Sequence, residues 1–273
     1  MSKEESLTRL ANEVRQDIIT MLVEAGSGHP AGSLGMADIF VALYFKILKI
    51  DPAKPHWSGR DRVVLSCGHI VPVLYATLAR KGYFSMNELK TLRQINSRLQ
   101  GHPYNLSTTG IDATSGSLGQ GLSQAVGMAI AGKADKSNHH IFCIMSDAEQ
   151  QEGQVWEAAM FAGGKKIDNL IAIIDRNHIQ TDGDTEDVVA LEPLVAKYRA
   201  FGWSVGEIDG HDFDDIIDAC AEAKATRGKP SLIIANTISG KGVSFMEGDY
   251  HWHGTPPTPE EAIIALRELR SLD

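Results

Sequence analysis

A carboxylate and an amide thirty positions apart, Asp147 and Asn177, are the pair in this chain best spaced to do chemistry together. Each follows a short apolar run. Ile141–Met145 leads into Ser146-Asp147-Ala148-Glu149-Gln150-Gln151-Glu152-Gly153, and Leu170–Ile174 leads into Asp175-Arg176-Asn177-His178-Ile179-Gln180-Thr181-Asp182-Gly183. Thirty residues is about one βαβ unit, so if the two runs are neighbouring strands, Asp147 and Asn177 emerge at the same sheet edge. Oxygen-only ligation across one strand spacing suits a hard cation, magnesium or calcium, better than zinc, and magnesium keeps coordination positions open for phosphate oxygens. The same residues also have a plainer reading, with Asp147 capping the next helix and Asn177 in a turn.

A second candidate is Thr114-Ser115-Gly116-Ser117-Leu118-Gly119-Gln120-Gly121, which opens a helix running to Lys133. Amides at a Gly-rich helix start suit phosphate. The spacing matches neither the dinucleotide fingerprint nor a P-loop. Close packing is the alternative, since Gly119, Gly121, Ser123, Ala125, Gly127 and Ala129 would admit a second backbone. Of the ten histidines, His29, His69, His102 and His253 sit in Gly- or Pro-flanked loops. Four in one α/β domain suggest a polar pocket that hydrogen-bonds hydroxyls and phosphates. His56, His139, His140 and His211 read as surface positions. His251-x-His253 with Asp147 admits a metallohydrolase, against which stands the place of the His pair near the C-terminus.

The elements that position these residues follow from hydrophobic pattern. Leu7, Leu10, Val14, Ile18 and Met21 predict one amphipathic helix; Met36, Ile39, Phe40, Leu43 and Ile47 predict a second. Gly26–Ser33 between them is too glycine-rich for a helix. Strands are predicted at Arg62–Ser66, Ile141–Met145, Leu170–Ile174 and Leu232–Ala235, with Trp203–Ile208 a weaker fifth. Helices are predicted at Gln120–Lys133, Gln154–Lys165, Pro193–Phe201 and Phe213–Ala225, and a last one at Glu260–Leu269 outside the sheet. Continuous rather than alternating apolar strands imply a sheet covered on both faces. The expected fold class is therefore α/β, one domain over residues 1–273 with a mostly parallel sheet and helices on both faces. Ligands in such folds bind beyond the carboxyl ends of the strands, where Asp147 and Asn177 fall.

Composition narrows the classes. At 273 residues, 43% of them apolar, the chain has ample material for a core, which excludes disorder. Three cysteines without C-x-x-C spacing exclude a disulfide scaffold and a thiolate zinc site. No apolar run approaches the roughly 20 residues of a membrane span, and the charge-dense Met1–Asp17 does not read as a signal peptide. No membrane association and a cytoplasmic location are expected. A net charge of −9 argues against nucleic-acid binding. It also means that a polyanionic ligand needs local help from a metal, a helix start or histidines.

Taken in order, Ser27-Gly28-His29-Pro30, Asp61 to Ser66 with Gly68-His69, Gly101-His102-Pro103, Gly116 to Ala129, Asp147 to Gly153, Asn177 to Gly183 and His253-Gly254 resemble the diphosphate-binding half of the transketolase family of thiamine-diphosphate enzymes. The resemblance runs from about Leu7 to Pro259. It implies that Asp147, Asn177 and the Ile179 carbonyl hold magnesium (or calcium) against the cofactor diphosphate. It further implies that Gly116, Ser117, Leu118, Ala148, His69 and His253 contact thiamine diphosphate. His29, His102 and His253 would line the substrate channel, orienting hydroxyls and shuttling protons, and Glu152 would couple paired sites at a subunit interface.

The pattern departs from the family at Ser146-Asp147-Ala148 in place of Gly-Asp-Gly, at Ser117 in place of a common proline, and at Arg176 before Asn177. The first departure implies retained cofactor binding with altered affinity, and the other two imply a subfamily with a nonstandard sugar. In full-length members a pyrimidine-binding domain supplies an activating glutamate, and no segment here resembles that motif. The resemblance therefore implies the N-terminal subunit of a split transketolase, inactive alone. It would pair with a separate C-terminal subunit in a two-fold heterotetramer and move a two-carbon ketol unit from a ketose phosphate to an aldose. Alternatives are a ketolase or carboligase acting on a branched or sulfonated sugar, and a non-catalytic scaffold subunit.

Overall fold

The computed structural model describes residues 3–271, so positions 1–2 and 272–273 of the expected 1–273 domain lie outside the described residues. Five parallel strands form the central sheet: β1 Arg62–Leu65, β2 Ile141–Ser146, β3 Leu170–Arg176, β6 Ser204–Asp209 and β7 Ser231–Asn236. Their order is β1-β2-β3-β7-β6. The four apolar runs and the weaker fifth are thus all strands. The fifth is weak for a physical reason: β6 is an edge strand with several residues facing solvent, whereas β2 and β3 are buried along their whole lengths. β4 Ile179–Gln180 and β5 Gly183–Asp184 form a separate antiparallel ribbon just beyond β3.

Successive residues of one strand feed opposite layers. Phe142 and Ile144 join a core built with helices α1 (Lys3–Ala25), α3 (Ala37–Ala42), α4 (Val71–Lys81), α9 (Phe213–Ala225) and α10 (Pro259–Arg270). Cys143 and Met145 join a second core with α5 (Gln120–Ala134), α6 (Gly153–Gly164) and α8 (Leu194–Ala200). A last short helix, α7, spans Thr185–Val188. Among the described residues no helix is long and apolar enough to cross a membrane.

Two local expectations are corrected. The glycine-rich segment is not all loop: α2 runs Pro30–Gly35. Pro30 presets the first helical φ, and the Ser33 hydroxyl donates to the His29 carbonyl at 2.7 Å. The small residues are needed for packing, since a Cβ at Gly35 would stand 2.9 Å from the Ile238 carbonyl oxygen. The second predicted helix is not amphipathic either. Residues 30–44 are all buried, and α3 ends in a single wide π turn at Leu43–Ile47. Helix α4, which the sequence pattern did not predict, is likewise buried over residues 71–79.

Candidate functional site

The ends of β1, β2 and β3 open onto a cavity of about 330 Å³ whose lining includes His29, His69, His102 and His253, joined by Gly116, Leu118, Ala148, Glu152, Asn177 and Ile179. The four loop histidines thus converge as expected. His29 caps α2 in extended conformation, and His69 sits in the short turn Gly68–Ile70 that follows β1. His253 closes the turn Tyr250–Trp252. Ring centroids lie 5.0 Å apart for His29–His69, 5.6 Å for His29–His253 and 5.2 Å for His69–His253. Burial lowers the pKa of all four histidines, and the neighbouring His253 and Arg93 help take His29 down to about 4. The cluster is therefore neutral at pH 7. It can accept protons and hydrogen-bond hydroxyls, but it offers no cationic pull on a phosphate. The buried Nδ1 of His29 has no protein partner and is left for a ligand. In an NMR titration the His29 Hε1 resonance is expected to stay in its neutral position down to pH 5; a midpoint above 6 would contradict the neutral cluster.

Asp147 and Asn177 emerge as the spacing requires. Ser146 and Asp175 are register partners on adjacent strands, and the Asp147 N–H donates to the Asp175 carbonyl at 3.1 Å. The Asp147 carboxylate is fully buried behind the cavity wall. Its Oδ1 accepts from the Ala148 N–H at 2.7 Å; its Oδ2 accepts from the His178 N–H at 2.8 Å and from Arg176 at 3.1 Å. Burial raises its pKa against the pull of these donors and of the guanidinium. The Asn177 Oδ1 accepts from the Ile179 N–H at 2.9 Å, and its Nδ2 donates to Asp175 at 2.8 Å. His178 between them takes a left-handed φ of 64°, which turns the chain so that residues 177 and 179 both face the cavity. The cap-and-turn reading is thus realised in part, and it leaves an oxygen-only donor set in place.

The helix-start expectation is modified. The Gly119 N–H is already taken by the buried Glu149 at 2.5 Å, and the Gly121 N–H by the Ser66 hydroxyl at 3.0 Å. Ahead of these two, Gly116 and Leu118 line the cavity. The close-packing reading holds at Gly121, where a Cβ would lie 2.3 Å from that of Ser66, and fails at Gly127, where it would meet open space.

The profile described as "Transketolase, thiamine diphosphate binding domain" matches residues 6–272. The chain belongs to the transketolase family. It is 49% identical over 263 residues to the 6-deoxy-6-sulfo-D-fructose transketolase subunit SqwG of Clostridium sp. (strain MSTE9), covering 96% of each chain. It is 43% identical to an apulose-4-phosphate transketolase subunit of Phocaeicola vulgatus, with 97% of this chain and 94% of that one covered. Among solved structures, transketolase from Leishmania mexicana superposes with a TM-score of 0.92 at 34% identity, covering 99% of this chain and 42% of that one. The chain thus spans under half the length of that transketolase and nearly all of the two curated relatives.

Seen as a transketolase domain, the site holds residues that sequence reasoning passed over. Glu149 accepts hydrogen bonds from the Ser66 hydroxyl, from Gly119 and, at 3.4 Å, from the Ser146 N–H, so one carboxylate fastens the ends of β1 and β2 to the start of α5. Burial pushes it up to about 7. Asp175, also pushed up to about 7 by burial, accepts from the Thr237 hydroxyl and from Asn177. Its place two residues before Asn177 was the available signal. Of the expected cofactor contacts, Ser117 is exposed and outside the cavity lining. Glu152 is exposed, caps α6 and lines the cavity. His211 is no ordinary surface residue: its Nδ1 pairs with Asp38 at 2.7 Å and its Nε2 accepts from the Ile238 N–H at 2.8 Å. His139 and His140 are half-buried rather than exposed, and His56 is exposed as expected. His251 points to Asp249 at 2.7 Å and is 70% exposed, outside the cavity lining. Among the described residues no three His, Cys, Asp or Glu side chains converge on a metal position.

Proposed function

We propose that the chain forms one thiamine-diphosphate-binding domain and is the N-terminal subunit of a two-subunit, cytoplasmic transketolase. It would transfer a two-carbon ketol unit from a ketose phosphate to an aldose acceptor. The observation that carries this reading is the neutral histidine cluster at one cavity with Asn177 and Ile179, directly in front of buried Asp147. The residues present fit the cofactor and its cation. The donors are all oxygens, as magnesium prefers, and Gly116 and Leu118 line the same cavity. Gln180 adds a buried acceptor, Oε1, without a protein partner.

Asp147, Asn177 and the Ile179 carbonyl would hold magnesium against the diphosphate, with Gly116, Ser117, Leu118, Ala148, His69 and His253 around the cofactor. Thiamine diphosphate, when bound, supplies an electron sink for breaking and remaking a carbon–carbon bond beside a ketone. The chain's own part is binding, orientation and proton transfer. His29, His102 and His253 are neutral, so each can take a sugar hydroxyl proton and return it. Glu152 would couple paired sites across a two-fold heterotetramer. The naming of near-full-length relatives as subunits supports a separate partner carrying the activating glutamate.

The test is activity of the chain co-purified with the product of a neighbouring reading frame. Ketol transfer from xylulose 5-phosphate to ribose 5-phosphate is expected from the pair and from neither protein alone. A second reading, favoured by the 49% identical relative, has a sulfonated donor. Turnover of 6-deoxy-6-sulfo-D-fructose with no turnover of xylulose 5-phosphate would select it.

A further inference from the structure

We propose that Arg176 is a positioning residue: it aims the Asp147 carboxylate at the cation and ties cation binding to the order of the segment over residues 183–192. The proposal rests on the reading of Asp147, Asn177 and Ile179 as the cation site. Arg176 is the last residue of β3, and its side chain is 3% exposed. One guanidinium nitrogen donates to Asp147 Oδ2 at 3.1 Å and to the Thr185 hydroxyl at 2.9 Å. The other donates to Glu186 at 2.7 Å and to Glu192 at 3.0 Å. A planar guanidinium gripped at four points has one orientation.

The grip has two consequences for Asp147. Arg176 engages Oδ2 only, so Oδ1, which takes a single N–H from Ala148, keeps a lone pair for a cation. Charge points the same way. One guanidinium faces three carboxylates, those of Asp147, Glu186 and Glu192. Glu186 and Glu192 reach solvent while Asp147 is buried, so a guanidinium shared among the three leaves the Asp147 charge only partly balanced and open to a cation.

The far side of the grip reaches the third cation donor. Glu186 accepts from the Leu191 and Glu192 N–H groups, which folds residues 186–192 around Arg176. Thr185 follows directly on β5, whose Asp184 pairs with Ile179. Arg176 therefore fixes Asp147 on one side and the ribbon bearing the Ile179 carbonyl on the other.

The experiment uses the complex of this chain with its C-terminal partner and compares wild type, Arg176→Met and Arg176→Lys. Magnesium is titrated at saturating thiamine diphosphate and followed by tryptophan fluorescence. Thermal unfolding and hydrogen exchange of residues 183–192 are measured on the same samples. Arg176→Met is expected to raise the half-saturating magnesium concentration about tenfold or more, the range for groups that orient metal ligands. Arg176→Lys, which keeps the charge, is expected to recover part of that loss. Magnesium with thiamine diphosphate should slow exchange over 183–192 in wild type and fail to do so in Arg176→Met. A purely structural role would lower Tm in both variants alike, without charge rescue and without this uncoupling, and that pattern overturns the proposal. So does magnesium binding in folded Arg176→Met within about twofold of wild type. If Arg176→Met does not fold, the lysine variant decides alone: about a threefold weakening supports the proposal and unchanged binding overturns it. Wild type that takes up neither magnesium nor thiamine diphosphate overturns the cation-site reading and the proposal with it, whereas normal wild type with unaffected variants overturns only the role of Arg176.

Discussion

Asp147→Asn is expected to weaken magnesium-dependent uptake of thiamine diphosphate on the order of 100-fold, at or beyond the upper end of what losing a ligand-orienting group costs, while leaving the fold intact. The amide matches the carboxylate in shape. Turned with its oxygen toward Arg176 and the His178 N–H, it keeps both of those hydrogen bonds. Its NH2 then faces the Ala148 N–H, which loses its acceptor, and no anionic oxygen remains there for the cation. Arg176 is not orphaned by the change, since Glu186 and Glu192 still neutralise it. Ionised Asp147 is held at a cost, because burial raises its pKa above the unfolded value. Removing the charge therefore offsets the lost Ala148 hydrogen bond, and the ligand-free Tm should change little. Calorimetric titration with magnesium and thiamine diphosphate, read beside thermal unfolding, checks both halves. Undiminished binding by the variant would refute the assignment of Asp147, and a collapse of Tm without ligand would mean that its role is structural.

What was legible from the sequence is what depends on chain geometry alone. Asp147 and Asn177 could be paired because parallel strands of similar length end level, as the Ser146–Asp175 register shows. The histidines could be gathered by their Gly- and Pro-flanked loops, of which only those of His69 and His253 follow strands, β1 and β7. What stayed hidden depends on contacts between residues far apart in the chain. Glu149 bonds Ser66 across 83 positions and His211 bonds Asp38 across 173, and no local pattern encodes either. The glycine-rich segment misleads in the same way. Its small residues read as loop formers locally, whereas Gly32 is small because α2 passes against the Ile70 side chain.

Glu149 offers the second large effect, and its two simplest substitutions should move in opposite directions. Glu149→Ala removes the acceptor for the Ser66 hydroxyl and for the Gly119 and Ser146 N–H groups in a site with no solvent access, and it leaves a cavity. A loss of about 2–4 kcal/mol is expected, since buried donors without partners cost more than a made hydrogen bond contributes. Glu149→Gln keeps Oε1, which takes both the Ser66 and the Gly119 bonds, and disturbs only the long Ser146 contact. The pH dependence separates the roles of charge and shape. Burial pushes Glu149 up to about 7, above its unfolded value. A raised carboxyl favours the fold fully in acid, below the unfolded pKa, and that contribution fades as pH climbs toward 7. Wild type should therefore lose Tm between pH 5 and pH 8, with Asp175 adding a slope in the same sense. Glu149→Gln cannot ionise, so its slope should be shallower, and at pH 8 it should be at least as stable as wild type. Because Asp175 is common to both proteins, the difference between their slopes reports on Glu149. Parallel Tm curves for wild type and Glu149→Gln would place the ionisation elsewhere. A Glu149→Ala protein as stable as wild type would show that the β1, β2 and α5 ends do not depend on this carboxylate for their alignment.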